Sequence, residues 1–157
     1  MKYIVNLNAV VAATSAEQAK EIAMGQLVVK EQPAGVFSPK TVWDMMMDRT
    51  KNIKQEYFVV FYLDTQNSLM FVNTVSVGTL NSSLIHPREV FAPALEKRCS
   101  HIIVAHNHPS GSLEPSLEDL AITKRLQDAG KILGIEVVDH VLVTDNNYKS
   151  FKESNLM

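Results

Sequence analysis

A single cysteine, Cys99, stands in a chain of 157 residues. One thiol cannot build a disulfide framework within the chain, and a zinc finger made of several cysteines is excluded with it. The chain therefore reads as a protein of a reducing compartment, the cytoplasm. Dense runs of Lys and Arg are missing as well, and the formal net charge is −2. Proteins that hold nucleic acid usually neutralise phosphates with such a patch, so charge lends a nucleic-acid partner little support. No apolar run approaches the roughly 20 residues that cross a bilayer. Lys2 and the apolar residues after it look faintly like the start of a signal peptide, but Asn6 and Asn8 interrupt them. No cleaved leader and no membrane association are expected. Internal repeats and low-complexity segments are absent too. What is present is ordinary for one globular domain: 46% hydrophobic and 20% charged residues, enough to bury a sizeable core.

Along the chain, alternation over residues 3 to 8 predicts a short strand, and Thr14 with Glu17 forms a capping-box pattern opening a helix to about Lys30. Pro33, Gly35 and Pro39 make a linker near residues 31 to 38, after which Ser38 and Pro39 start a second helix through about Arg49. Residues 1 to 37 thus read as a strand–helix extension and linker, and residues 38 to 157 as the main domain. EYFVVFYL, from Glu56 to Leu63, is an apolar and aromatic run that predicts a strand covered on both faces. A turn at Asp64 to Asn67 leads to a strand from about Leu69 to Val77, ended by Gly78. Pro87 opens a helix to about Arg98, and HIIVAH (101 to 106) is a further buried strand. Ser116 starts a helix to about Ala129, with Gly130 or Gly134 as its stop, and Ile135 to Thr144 forms a last long strand. Strands and helices alternate, so the fold class is α/β: a mixed central β-sheet with helices on both faces.

The chemistry concentrates in HNHPSGSLEPSLED, residues 106 to 119. His106 and His108 stand at i, i+2 where a buried strand ends, and extended backbone puts residues so spaced on one face. Asp119 follows in the first turn of the next helix. Two imidazoles, one carboxylate and a fourth position left for water match the ligand count of an open catalytic zinc site. A closed structural site would want a fourth protein ligand, usually cysteine, and none is near. The competing explanation is local, because Ser116 to Asp119 also fits a capping box that needs no metal. Pro109 and Gly111 are expected to fix the loop. Asn107 should point away from the histidines in a structural role. Asp139 and His140 are either support behind a ligand or, more plainly, a buried structural pair.

His106-x-His108, seven residues, then Ser116-x-x-Asp119 resembles the JAMM motif of the MPN (JAB) metalloprotease superfamily at every motif position. HPREVF (86 to 91), HNHPSG (106 to 111), PSLED (115 to 119) and Asp139-His140 resemble its bacterial RadC-type branch, over roughly residues 38 to 157. The resemblance implies an MPN/JAMM-like fold with a cytidine-deaminase-like architecture, and one zinc ion per chain held by His106, His108 and Asp119. It implies a Glu at the head of the upstream strand as general base, a position matched here by Glu56 rather than Glu89, Glu114 or Glu118. The motif serine, Ser116, is implied to stabilise an oxyanion, alongside its possible role as N-cap. The implied function is a zinc metallohydrolase of peptide or isopeptide bonds, acting through a water activated by the metal and Glu56, with a peptide or protein as substrate. RadC-type proteins commonly carry a DNA-associated helix-hairpin-helix region, which the first 37 residues do not resemble.

Other readings remain beside this one. A zinc deaminase would need H-x-E and P-C-x-x-C, and the chain has neither. A non-catalytic binding or scaffold module on the same fold, and a DNA repair or recombination accessory of the RadC type, are the alternatives. No oligomeric state is readable from the sequence.

Overall fold

The computed structural model describes residues 37 to 78 and 85 to 157. The strand over 3 to 8, the helix over 14 to 30 and the linker up to residue 36 lie outside the described residues. The first element is helix α1 (Pro39–Thr50), capped by Ser38, whose Oγ accepts from the Thr41 amide at 3.2 Å. Then follow β1 (Glu56–Leu63), β2 (Leu69–Gly78), helix α2 (Pro87–Glu96), β3 (His101–Asn107), helix α3 (Leu117–Leu133), β4 (Glu136–Val143) and β5 (Tyr148–Ser150).

The five strands form one sheet in the order β2-β1-β3-β4-β5. β1 pairs antiparallel with β2 and with β3, β3 pairs parallel with β4, and β4 pairs antiparallel with β5. The sheet is mixed because α3 carries the chain back over it between β3 and β4, the crossover a parallel pair requires. Apolar residues on both faces of β1 explain its continuous run. Val59, Phe61 and Leu63 pack with Ile103, Ala105, Val141 and Val143 under α1, through Val42, Met45 and Met46. Phe58, Val60 and Tyr62 face the other way, with Ile102 and Val104, against Phe91 of α2 and Ile122 and Leu126 of α3. Helices therefore cover both faces of an α/β sheet, as the alternation of elements predicts. No helix among the described residues is long and apolar enough to cross a membrane.

Two details depart from the sequence reading. α3 continues to Leu133, past Ala129, and of the two expected stops it is Gly134 that ends it, at φ +69°, donating its N–H to the Gly130 carbonyl. Gly130 lies inside the helix, where a Cβ would meet the Ile135 carbonyl oxygen at 2.3 Å, so this glycine serves close packing. The short strand β5 has too few residues for periodicity to reveal it. It exists because the turn closed by Thr144 and Asn147 folds it back on β4.

Candidate metal centre

β3 is the middle strand of the sheet, and its last residues carry the chemistry. His106 is fully buried, opposite Phe58 on β1 and Leu142 on β4. The His108 amide donates to the Val143 carbonyl at 2.9 Å, so the backbone stays extended one residue past the strand. The i, i+2 spacing then does what pleating dictates: the two Nε2 atoms stand 3.2 Å apart. The chain turns at once, the Gly111 amide donating to the His108 carbonyl at 3.0 Å, with Gly111 at φ +79°. That turn brings the Ser112 carbonyl to 3.0 Å from His108 Nδ1, which anchors the ring from behind.

Asp119 arrives from the start of α3. Its carboxylate closes a capping box, accepting from the Ser116 amide at 2.7 Å while Ser116 Oγ accepts from the Asp119 amide at 3.1 Å. The cap fixes the carboxylate against the histidines, with Oδ1 3.2 Å from His106 Nε2 and Oδ2 3.5 Å from His108 Nε2. Capping and ligand geometry are one arrangement. Asp119 is 2% exposed. Burial alone would raise its pKa, but the imidazoles of His106 and His108 and the Ser116 amide hold the carboxyl far below the usual range. The same Asp119 contact, first among several influences, raises the pKa of His108. Taking one ligand atom from each of His106, His108 and Asp119, the three lie within 4.8 Å of one another, close enough to hold a single ion.

Glu56 is the first residue of β1. Phe58 pairs with His106 in the antiparallel register, and continuing that register by two residues sets Glu56 across from His108. Its charge is felt there, contributing to the raised His108 pKa. Asn107 holds this end of β1 in place: Oδ1 accepts from the Tyr57 amide at 2.6 Å, and Nδ2 donates to the Gln55 carbonyl at 3.0 Å. Asn107 is structural, as the sequence suggests, and what it structures is the backbone on either side of Glu56. The rival carboxylates lie apart from the centre. Glu89 is exposed and pairs with Arg88, Glu114 is exposed and pairs with Lys149, and Glu118 is exposed on α3. Ser116 is exposed at the rim, acting as N-cap of α3.

A family model described as the RadC-like JAB domain matches residues 36–156. The chain belongs to the RadC-like JAB domain family. It is 48% identical over 122 residues to a UPF0758 protein of Alkaliphilus metalliredigens, covering 78% of this chain and 53% of that protein. It is 41% identical over 148 residues to one of Desulfitobacterium hafniense, covering 92% and 65%. To a Bacillus cereus relative the identity is 37% over 156 residues, covering 98% and 69%. The chain spans from about half to about two thirds of the length of these relatives.

Behind the first layer, this RadC-like JAB domain holds residues that sequence reasoning weighed wrongly or missed. Asp139 and His140 do not act as a pair. The Asp139 carboxylate accepts from Ser150 Oγ at 2.6 Å and from the amides of His140 and Lys152, so it ties β4 to β5. The His140 ring turns the other way and lies behind a ligand, with Nε2 2.7 Å from His106 Nδ1. Its Nδ1 lies 2.6 Å from Thr123 Oγ1, on α3. Phe58 and Phe151 pack against His140 at ring-centroid distances of 5.8 and 4.4 Å, which keeps this layer dry. Burial and the neighbouring His106 lower the His140 pKa well below the ordinary histidine range. Thr123 carries one sequence signal: it stands four residues after Asp119, on the same face of α3.

Proposed function

We propose that this RadC-like JAB domain is a zinc-dependent hydrolase of peptide or isopeptide bonds. The observation that carries the reading is the convergence of two imidazoles and one buried carboxylate, whose ligand atoms, one from each of His106, His108 and Asp119, lie within 4.8 Å of one another. Two histidines and one carboxylate, with a position left for water, are the ligand set of an open catalytic zinc site. His106, His108 and Asp119 would hold the ion. When bound, zinc supplies Lewis acidity towards the scissile carbonyl and an attacking water.

The chain's own residues supply the rest. Glu56, across from His108 at the head of β1, accepts the proton of the attacking water and delivers it to the leaving amine. Asn107 positions that carboxylate by fixing the backbone around it. Ser116 Oγ already accepts from the Asp119 amide, which leaves its hydroxyl hydrogen to donate to an oxyanion at the exposed rim. The substrate class, a peptide or protein, follows from the family resemblance.

Elemental analysis of the purified chain, followed by a peptide and isopeptide library screen of wild type and Glu56→Gln, tests this reading. One zinc per chain is expected in both proteins, with activity lower in the variant by roughly 10²–10⁴-fold. A wild-type protein without stoichiometric metal, or a variant with undiminished turnover, overturns it.

A further inference from the structure

We infer that Lys149 of β5 is a positioning residue for the metal centre: it tethers Glu114 and so fixes the loop whose Ser112 carbonyl anchors the His108 ring. The inference rests on the metal-centre reading above for its purpose, though the tether itself belongs to the metal-free chain.

Residues 109 to 115 join the strand that carries the histidines to the helix that carries Asp119. Their hydrogen bonds are short in range. The Gly111 amide donates to the His108 carbonyl at 3.0 Å, the Ser112 amide to Ser110 Oγ at 3.4 Å, and the Glu114 amide to Ser112 Oγ at 3.2 Å. The Ser112 carbonyl lies 3.0 Å from His108 Nδ1. All of these stay within residues 108 to 114, and Pro109 to Ser112 and Glu114 are exposed. A segment held in this way opens readily, since its bonds face water and close only on themselves. Among the described residues, the hydrogen bond that links this loop to another element runs from Lys149 Nζ to Glu114 Oε1, at 3.2 Å.

The sheet explains why Lys149 can reach the loop. His106 pairs with Leu142 on β4, and Leu142 pairs with Lys149 on β5. Residues paired across strands share a face, so Lys149 lies on the face that carries His106, the one α3 covers. Its neighbours Tyr148 and Ser150 point to the opposite face. There Ser150 Oγ donates to the buried Asp139 carboxylate at 2.6 Å, and Tyr148 packs on Trp43 at a ring-centroid distance of 6.1 Å. β5 is thus pinned on one face and presents its lysine on the other. The Asp139–Ser150 bond, which takes no part in the chemistry, holds the strand from which the tether acts. The Lys149 side chain is 26% exposed and that of Glu114 86%, so the tether is a modest one, worth about two- to fivefold in an equilibrium constant.

Two readouts that do not depend on turnover test the tether. The first is amide hydrogen exchange at Gly111 in the metal-free chain. The second is a competition titration with zinc chloride against a chromophoric chelator. Lys149→Met keeps the aliphatic stem and removes the charge; exchange at Gly111 is expected to be about two- to fivefold faster, and zinc binding weaker by a similar factor. Lys149→Glu should be worse than Lys149→Met, and combining it with Glu114→Lys should restore both readouts towards the wild type. In about 1 M salt the difference between wild type and Lys149→Met should shrink. An unchanged exchange rate in Lys149→Met overturns the tether, and faster exchange with unchanged zinc affinity overturns its role in positioning His108. A double variant no better than Lys149→Glu alone also overturns it, leaving Lys149 a merely structural residue. A wild-type chain that binds no zinc overturns the metal reading instead, and exchange at Gly111 still decides the tether.

Discussion

Asp119 performs two tasks at once, and substitutions can separate them. Its carboxylate accepts from the Ser116 amide at 2.7 Å, which caps α3, and it also stands 3.2 and 3.5 Å from the two imidazoles. Asp119→Asn retains a carbonyl oxygen for the cap but turns an amide NH₂ towards the histidines. Asp119→Ala removes both functions. In the metal-free chain the asparagine variant keeps the cap but loses the favourable charge at a helix N-terminus, about 0.5 kcal/mol, together with the carboxylate's contacts to His106 and His108. Alanine costs about 1 kcal/mol more through the lost cap. With zinc the order changes. At a free zinc concentration 100 times its Kd, the wild type gains about 2.7 kcal/mol. Loss of a ligand should exceed the 10–100-fold effect of an outer-shell partner. At the same zinc concentration Asp119→Asn then gains no more than about 0.4 kcal/mol. The difference, about 2.3 kcal/mol, corresponds to roughly 5–9 °C in Tm for a chain of this size. Thermal unfolding with and without zinc measures it. The reasoning is refuted if Asp119→Asn shows the wild-type zinc-dependent shift, or if it falls as far as Asp119→Ala in the absence of metal.

Gly130→Ala should destabilise the chain, although alanine is the better helix former by about 1 kcal/mol. Its Cβ would lie 2.3 Å from the Ile135 carbonyl oxygen and 3.3 Å from Phe91 Cζ, and overpacking of that kind costs about 1–3 kcal/mol; a Tm at or above that of the wild type in urea or thermal melts contradicts this. Cys99 is 6% exposed, and burial pushes its thiol up to about 11. Because the thiolate is the reactive form, iodoacetamide at pH 8 should modify the native chain on the order of 100-fold more slowly than the urea-unfolded chain. The native rate should rise about tenfold per pH unit towards that value; equal native and unfolded rates would show that the thiol is not held in this way.

Much of the site was legible because its geometry is local. His106 and His108 share a face for the reason any i, i+2 pair in a strand does, and the 3.2 Å between their Nε2 atoms confirms the period-two argument. Ser116 and Asp119 were legible as a capping box, and the structure shows cap and carboxylate placement to be the same arrangement. Glu114 and Glu118 facing solvent, and Glu89 at a helix start, also agree with the sequence reading. His140 was misjudged because adjacent Asp139 suggested a pair, whereas neighbours in a strand point to opposite faces. Gly130 was offered beside Gly134 as a helix stop, and the sequence could not choose between them because a glycine's packing role depends on residues that approach it from elsewhere, here Phe91 and Ile135.

By itself, the sequence determined the alternation of strands and helices, the HxH pair with its carboxylate three residues after a helix cap, and the exclusion of a cysteine-based site. These rest on covalent spacing and on the periods of helix and strand, which act over a few residues. Tertiary structure alone decided which distant groups meet this centre. The antiparallel register of β1 on β3, continued two residues past the Phe58–His106 pair, sets Glu56 across from His108, and the parallel register of β4 on β3 sets His140 behind His106. The packing of α3 on that sheet brings Thr123 to His140. Periodicity tells which face a side chain takes, but not which residue of another strand lies beside it. Register is settled by the burial of whole faces and by the crossover that joins them, so the partners of a ligand are fixed only when the sheet is assembled.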